Sequence, residues 1–243
     1  MIIGAQKAGT TALFAYLNQH PKTLQQTKEI HYYDVHYDKG KKWYRGKFPR
    51  KPNSSYIVGD KGPDYLLHPT IAQRVYNDFP KIKLIVVLRN PTDRSYSQFW
   101  FNKRRDLEPI ETFEEAISRE PELIAGEIEK QILDPYYVSW AHRRSGYLAR
   151  SRYAEQLERW LDLFPREQLL VVDAADLRRH PQEAMNRVFA YLGLEPFVIS
   201  TVDAEKNSVY PPMDPNFRQT LVDYFKPYNA DLEALIGQTF DWN

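Results

Sequence analysis

The segment GAQKAGTT, residues 4–11, combines residue types suited to holding an anion. Glycines such as Gly9 let backbone N–H groups approach a ligand closely. A helix beginning at Thr10 and Thr11 would add unpaired N–H groups and a positive dipole end, and Lys7 would add a point charge. The order differs from the common G-x-x-x-x-G-K-[ST] loop, because Lys7 precedes Gly9. The pattern predicts a phosphate or phosphosulfate site; a plain strand-to-helix turn capped by a threonine is the alternative.

A second candidate anion site lies in LRNPTDRSYSQFW, residues 88–100. Arg89 offers a rigid fork of donors suited to phosphate oxygens, and Ser97 on the following helix would donate to the same group. Pairing of Arg89 with Asp93 is the alternative. Two anion sites at neighbouring strand ends predict a ligand phosphorylated at both its 5′ and 3′ positions, such as coenzyme A or 3′-phosphoadenosine 5′-phosphosulfate.

Carboxylates and imidazoles in TKEIHYYDVHYD, residues 27–38, are candidates for proton transfer. A carboxylate flanked by lysines, such as Glu29, tends to have a low pKa, which makes it a weak base unless burial raises that pKa. His31 is the competing base. As metal ligands, Asp34 and His36 would share one face of a strand and His31 the other, so we expect no metal. A solvated, aromatic-rich loop is the alternative for the whole segment.

Apolar runs predict the strands that would position these residues, and amphipathic patterns predict helices between them. The continuous run KLIVVLR is typical of a fully buried parallel strand. The alternation predicts a single-domain, three-layer α/β fold over residues 1–243, with a central parallel sheet and helices on both faces. In such a sheet, ligands bind at the carboxyl ends of the strands. The predicted strands are 1–5, 56–61, 83–89 and 168–174, and the predicted helices are 10–20, 69–79, one opened by the capping box Thr112-x-x-Glu115, 150–164, 182–192 and 215–236.

Composition limits the function classes that this chain can serve. The 243 residues include no cysteine, which excludes disulfides, thiolate metal sites and cysteine nucleophiles. The net charge of +1 gives no global field for nucleic acid, so an anion site must be local. No apolar run reaches the roughly 18 residues of a membrane span, and the start shows no signal-peptide pattern. We expect a cytoplasmic, bacterial protein with no nucleic-acid partner.

Four ordered segments resemble the sulfotransferases that use 3′-phosphoadenosine 5′-phosphosulfate (PAPS), and the likeness is closest to the heparan sulfate N- and 3-O-sulfotransferase branch and its bacterial relatives. GAQKAGTTAL resembles the family's P-loop-like 5′-phosphosulfate loop, and RNPTDRSYS resembles its 3′-phosphate motif. The stretch 153–194 resembles the long helix, strand and helix that follow, and KNSVYPPMD resembles the late loop that closes over the nucleotide. The likeness covers almost the whole chain.

The resemblance implies a role for each matching residue on the donor side. Lys7 would contact the phosphosulfate and withdraw charge from the leaving phosphate. Arg89 and Ser97 would hold the 3′-phosphate. The product would be 3′-phosphoadenosine 5′-phosphate (PAP), and no metal would be needed. The remaining cofactor contacts implied are Ala8, Gly9, Thr10 and Thr11 at the 5′ end and Lys206, Asn207 and Tyr210 in the late loop.

On the acceptor side, the resemblance implies that Glu29 is the catalytic base, with His31 as the competitor, and that Lys61 in GDKGPDY lies beside the acceptor hydroxyl. The acceptor would be a carbohydrate, an acyl or polyketide chain on a carrier protein, or a small alcohol. Ser208 and Val209 stand where glycosaminoglycan enzymes commonly carry basic residues, which argues against a strongly anionic polysaccharide. The turn 143–147 is a further candidate for lining the acceptor cleft.

Two other function classes compete with this prediction. A P-loop kinase-like phosphotransferase would need the G-K-[ST] order and an acidic magnesium ligand after a strand, for which Asp173 is the sole candidate. A non-catalytic nucleotide-binding domain would bind PAP without turnover and would tolerate substitution of Glu29 and Lys61.

Overall fold

A computed structural model describes residues 1–25, 29–202 and 210–242. The chain forms two compact units. The first comprises residues 1–66, 71–89 and 164–206, and the second comprises 67–70, 90–163 and 207–243, each as far as it is described. The prediction of one domain over residues 1–243 stays a prediction.

The first unit contains the parallel strands. Within one sheet the order is β1-β4-β5, and β2 pairs with β3 in a second parallel ladder. An isolated parallel bridge joins Ile2 to Lys61, just beyond β3. Every residue of β4 is buried, as expected for a central parallel strand. The strands are β1 (Ile2–Gly4), β2 (Thr23–Gln25), β3 (Ile57–Gly59), β4 (Leu84–Leu88) and β5 (Leu169–Asp173).

Helices of the first unit follow the sequence signals. In the third of them, Ile71 and Val75 are fully buried at the predicted four-residue spacing. The last helix begins at Pro181 and ends at Leu192. Gly193 caps it with a φ of 76°, the left-handed conformation that glycine favours. The helices are α1 (Thr10–Leu17), α2 (Gly40–Arg45), α3 (Ile71–Asp78), α9 (Ala174–Arg179) and α10 (Pro181–Leu192).

The second unit is helical throughout its described elements. Asn90 caps its first helix by accepting from the N–H groups of Thr92 and Asp93. Thr112 accepts from the N–H of Glu115, so the predicted capping position is confirmed. The helices are α4 (Pro91–Lys103), α5 (Phe113–Leu123), α6 (Glu127–Leu133), α7 (Trp140–Ser145), α8 (Tyr153–Leu161) and α11 (Pro215–Ile236).

The predicted α/β fold with a central parallel sheet is confirmed, and so are its four predicted strands. The sequence did not predict β2, a three-residue strand without an apolar run, nor the short helices α2, α6, α7 and α9. No helix in the described ranges is both long and apolar enough to cross a membrane. The cytoplasmic location and bacterial source stay predictions.

Candidate active site

The predicted anion loop joins β1 to α1 at the carboxyl end of the first strand. The Ala5 N–H donates to the carbonyl oxygen of Val87 (2.8 Å), which attaches the loop to β4. The Ala8 N–H donates to the Ala5 carbonyl (3.1 Å) and closes a turn. Gly9 is the N-cap of α1 with a φ of 106° and, as a glycine, has no side chain that could cap the helix. The first-turn N–H groups, at Thr10 and Thr11, therefore receive no side-chain hydrogen bond from the N-cap residue, at a helix end whose dipole favours an anion.

Lys7 and Arg89, the two predicted anion-binding cations of the first unit, belong to one local structure. Arg89 follows β4, and its Nη1 donates to the carbonyl oxygen of Lys7 at 3.2 Å. Both side chains are partly exposed. The contact places the guanidinium beside the loop without using the Lys7 ammonium.

Backbone strain coincides with two candidate site residues. Among the described residues, the non-glycine residues with positive φ are Lys7 (68°), His31 (53°) and Asp106 (55°). Such conformations cost on the order of 1–3 kcal/mol each and cluster at functional sites. Lys7 and His31 are therefore held in their conformations by the surrounding structure.

Ser97 and Tyr210 belong to the second unit. Ser97 is buried on α4, two turns into the helix. Asp93 lies one turn earlier, and its Oδ1 is 2.5 Å from the Nη1 of Arg218. Asp93 was the alternative partner predicted for Arg89, and it has another cationic partner in Arg218. The Tyr210 ring is stacked parallel to Trp100, with centroids 6.3 Å apart.

Glu29 lies between the Lys61 ammonium and the His31 imidazole in the first unit. Its Oε1 is 3.2 Å from the Lys61 Nζ, and its Oε2 is 3.3 Å from the His31 Nε2. The Lys61 side chain is 10% exposed and that of Glu29 is 28% exposed. The structure thus brings three predicted acceptor-side residues together, although Lys61 is distant from the other two along the chain.

The electrostatics of Glu29 result from two opposing effects. Burial by itself would raise the pKa of Glu29, but the hydrogen bond with His31 and the positive charge of Lys61 outweigh burial and lower the pKa below its usual value. Glu29 is therefore ionised at neutral pH, and its lowered pKa makes it the weak base that its lysine-rich sequence context predicts, because burial does not raise the pKa above its usual value.

The segment after Glu29 is a turn, and the strand alternation assumed for it is wrong. Residues 32–35 form consecutive turns, closed by the N–H of Val35 donating to the His31 carbonyl (3.1 Å). The turn places Asp34 beside His31, with Oδ2 and Nδ1 at 2.9 Å. Asp34 is buried. The sequence offered Asp34 as a candidate base and as a candidate metal ligand but not as a partner of His31, and the i, i+3 spacing of a turn was the signal for this pair.

The candidate acceptor-lining turn 143–147 takes a different form from the one expected. It is the end of α7, and the guanidinium groups of Arg143 and Arg144 lie 5.1 and 5.3 Å from the Trp140 ring. Tyr147 is fully buried, with its hydroxyl donating to Glu108. Tyr147 is therefore a core residue. Lys206, Asn207, Ser208 and Val209 lie outside the described residues.

A helix N-terminus with a lysine in its loop, at the carboxyl end of a parallel strand, suits a group-transfer enzyme with an anionic donor. Residues 1–213 match the model of the sulfotransferase domain. The chain belongs to the sulfotransferase family, enzymes that transfer a sulfuryl group and use PAPS as its donor. The family predicted from the sequence is confirmed.

Individual relatives extend the likeness over the full chain. The chain is 27% identical to the membrane-associated sulfotransferase kil1 of Dictyostelium discoideum, with all of this chain aligned but just under two thirds (66%) of kil1. It is 28% identical to heparan sulfate glucosamine 3-O-sulfotransferase 5 of Homo sapiens, covering all of this chain and 73% of that protein. The crystal structure of a sulfotransferase from Alicyclobacillus acidocaldarius superposes with a TM-score of 0.78 at 28% identity, over 98% of this chain and 95% of that one.

Proposed function

We propose that this chain moves a sulfuryl group from PAPS to an acceptor hydroxyl, with Glu29 as the general base. The observation that carries the proposal is the position of Glu29 between Lys61 and His31, at 3.2 and 3.3 Å. A carboxylate held ionised beside an ammonium group can take the proton of a hydroxyl that the same ammonium orients.

The first loop fits the donor. Its residues offer first-turn N–H groups at an uncapped helix end, the threonines of that turn, and the ammonium of Lys7. This donor set suits a doubly charged phosphosulfate. For the 3′-phosphate we propose Arg89 and Ser97, and for the nucleotide Lys206, Asn207 and Tyr210, on the sequence resemblance.

PAPS supplies a sulfuryl group bound through oxygen to a phosphate that can leave. Glu29 takes the proton of the acceptor hydroxyl as that oxygen bonds to sulfur. Lys7 and the N-terminus of α1 stabilise the charge that collects on the phosphate oxygen as the old S–O bond breaks, and PAP leaves. Catalysis of this kind rests on positioning and charge stabilisation. The protons and charges balance without a metal ion.

The contacts favour Glu29 over His31 as the residue that receives the acceptor proton. Both ring nitrogens of His31 face carboxylates, Nε2 toward Glu29 and Nδ1 toward Asp34. Neither ring nitrogen is therefore directed at an acceptor. Each Glu29 oxygen has a second lone pair for the acceptor proton.

We propose a carbohydrate as the acceptor, and one of moderate negative charge, since Ser208 and Val209 argue against a strongly anionic polysaccharide whereas another segment of the chain is basic. Several relatives are named for heparan sulfate. Residues 39–51 hold seven lysines and arginines and no acidic residue, whereas the rest of the chain has six more acidic than basic residues. This basic segment, residues 39–51, packs on residues 31–36, which follow Glu29. The rings of Trp43 and His36 meet edge to face at 5.6 Å, and those of Tyr44 and Tyr32 stack at 4.5 Å.

Neutralising the basic segment should weaken acceptor binding. We expect the triple variant K42Q/R50Q/K51Q to raise KM for desulfated heparan sulfate roughly 3- to 100-fold, since each exposed ion pair contributes about 0.2–1 kcal/mol. All three side chains are exposed. Initial rates at low salt measure the effect. The matched control K81Q/R178Q/R179Q removes three other exposed charges of the first unit, and an equal effect there would contradict a local role for residues 39–51.

PAP should stabilise the protein strongly. Saturation to 100 times Kd adds about 2.7 kcal/mol, which corresponds to a Tm rise of roughly 5–10 °C for a chain of this size. We expect a much smaller rise with AMP, which lacks the 3′-phosphate, and no dependence on magnesium. Differential scanning calorimetry measures these shifts.

The same measurement separates the competing functions. Stronger stabilisation by ATP with magnesium than by PAP would favour a kinase-like phosphotransferase. Stabilisation by PAP without turnover of any hydroxyl acceptor would favour a non-catalytic nucleotide-binding domain.

A further inference from the structure

Asp60 is a buried carboxylate that no step of the proposed reaction uses. The residue is 5% exposed. Its Oδ2 accepts from the hydroxyls of Tyr44 (2.8 Å) and Tyr65 (3.2 Å), while Oδ1 is buried without a hydrogen-bond partner among the described residues. Burial raises its pKa, against the two tyrosine hydrogen bonds, which lower it. Burying a carboxylate costs free energy that its hydrogen bonds must offset, so the two tyrosine hydroxyls are what make this position tolerable.

The two tyrosines that donate to Asp60 pack on the turn 31–34, next to Glu29. The Tyr44 ring is stacked on Tyr32, with centroids 4.5 Å apart and planes 12° apart. The Tyr65 ring meets Tyr33 edge to face, at 5.7 Å and 90°. Tyr32 and Tyr33 are fully buried and lie directly between His31 and Asp34 in the chain. Asp60 therefore fixes the turn that presents His31 to Glu29.

The other partner of Glu29, Lys61, follows Asp60 in the chain. Its backbone is anchored on both sides to β1, independently of the Asp60 side chain. The Ile2 N–H donates to the Asp60 carbonyl (2.8 Å), and the Gly62 N–H donates to the Ile2 carbonyl (3.0 Å). The Asp60 carboxylate, through its two tyrosines, therefore connects the turn with His31 to the anchored backbone that carries Lys61.

We propose that Asp60 is a positioning residue that holds the turn carrying His31 in place relative to Lys61, so that both reach Glu29. The proposal rests on the proposed base role of Glu29 and names a residue that acts through its two partners. Asp60 does not touch the reacting atoms. Its carboxylate connects the end of β3, where Lys61 follows, to the turn 31–34 by way of Tyr44 and Tyr65. This connection keeps Lys61 and His31 at 3.2 and 3.3 Å from the Glu29 carboxylate.

Direct titration of Glu29 tests this proposal, because the contacts in question lower its pKa. The probe is the protein labelled with 13C at the glutamate carboxyl carbons, and the Glu29 signal is identified by its loss in E29Q. In D60N, loosened contacts should raise the Glu29 pKa by about one unit. Loss of the Asp60 charge alone would lower the pKa of a nearby carboxyl, so the sign separates positioning from a direct field.

Two further variants keep the test decisive. Y65F leaves the Asp60 carboxylate in place and removes one hydrogen bond, so we expect a smaller rise in the same direction, and this variant decides the question if D60N does not fold. E120Q is the matched control, since Glu120 is also buried and accepts from the N–H groups of Leu148 and Ala149. It should leave the Glu29 titration unchanged.

An unchanged or lowered Glu29 pKa in folded D60N or Y65F would overturn the proposal. A rise of equal size in E120Q would do the same, because the effect would then reflect general loosening. The titration needs neither donor nor acceptor. The Glu29 pKa could therefore rise in D60N even if the unchanged protein transferred no sulfuryl group. That pair of results would reject the proposed function, with Glu29 as its base, and would leave the positioning role of Asp60 standing.

Discussion

Replacing Glu29 by glutamine is expected to lower kcat for sulfuryl transfer by about 10²- to 10⁴-fold, the usual contribution of a positioned general base. Glutamine keeps the size of the side chain and one oxygen that can face Lys61, but it cannot take a proton. The PAP-induced rise in Tm should match that of the unchanged protein, because the donor loop is intact. Initial rates with saturating PAPS and calorimetry with PAP measure the two quantities.

The variant H31A is the matched comparison for E29Q. Loss of the imidazole removes a hydrogen bond that lowers the pKa of Glu29, so the Glu29 pKa should rise in H31A. The base works when ionised, so activity is present above the Glu29 pKa and lost as pH falls through it. The acid limb of kcat should therefore lie below the usual glutamate range in the unchanged protein and move to higher pH in H31A. Near-normal turnover in E29Q, or a larger loss in H31A than in E29Q, would transfer the base role to His31.

Long apolar or amphipathic patterns made most of the fold predictable. KLIVVLR is apolar at every central position and became the fully buried β4, and the helix predicted at 215–236 is α11 with the same bounds. The strand β2 was not predictable, because Thr23–Gln25 has no pattern of its own and is defined by its pairing with β3. Its existence depends on tertiary contact, which local propensity does not record.

The candidate site also has parts that the sequence predicted and parts that it did not. The candidate anion loop could be recognised from Lys7, Gly9 and the threonines alone, because the residues that suit it to an anion are nearly consecutive. The pairing of Glu29 with Lys61 depends on how two separate segments meet, so only the family resemblance indicated it. The contact of His31 with Asp34 was missed because a strand was assumed where the chain turns.

Replacing Lys7 by alanine should slow the chemical step far more than it weakens nucleotide binding. We expect kcat to fall about 10²- to 10³-fold, the usual cost of removing one group that stabilises developing charge. In the proposed reaction, Lys7 interacts with the phosphate oxygen that gains charge only as the S–O bond breaks. An interaction of that kind lowers the barrier without tightening the ground state. Single-turnover rates with PAPS measure the chemical step, and calorimetric titration with PAP measures binding.

The ratio of these two losses defines what the lysine does. A loss of PAP affinity below tenfold, beside a hundredfold loss of rate, is the expected result for a group acting in the transition state. Equal losses would mean that Lys7 holds donor and transition state alike and serves only to bind. The variant K7R is the control for charge: it keeps a cation at a residue whose φ is 68°, and recovery of part of the rate would show that the charge at this position is what the reaction requires. The lysine that precedes the glycine would then be the feature that separates this loop from one built to hold a nucleoside triphosphate.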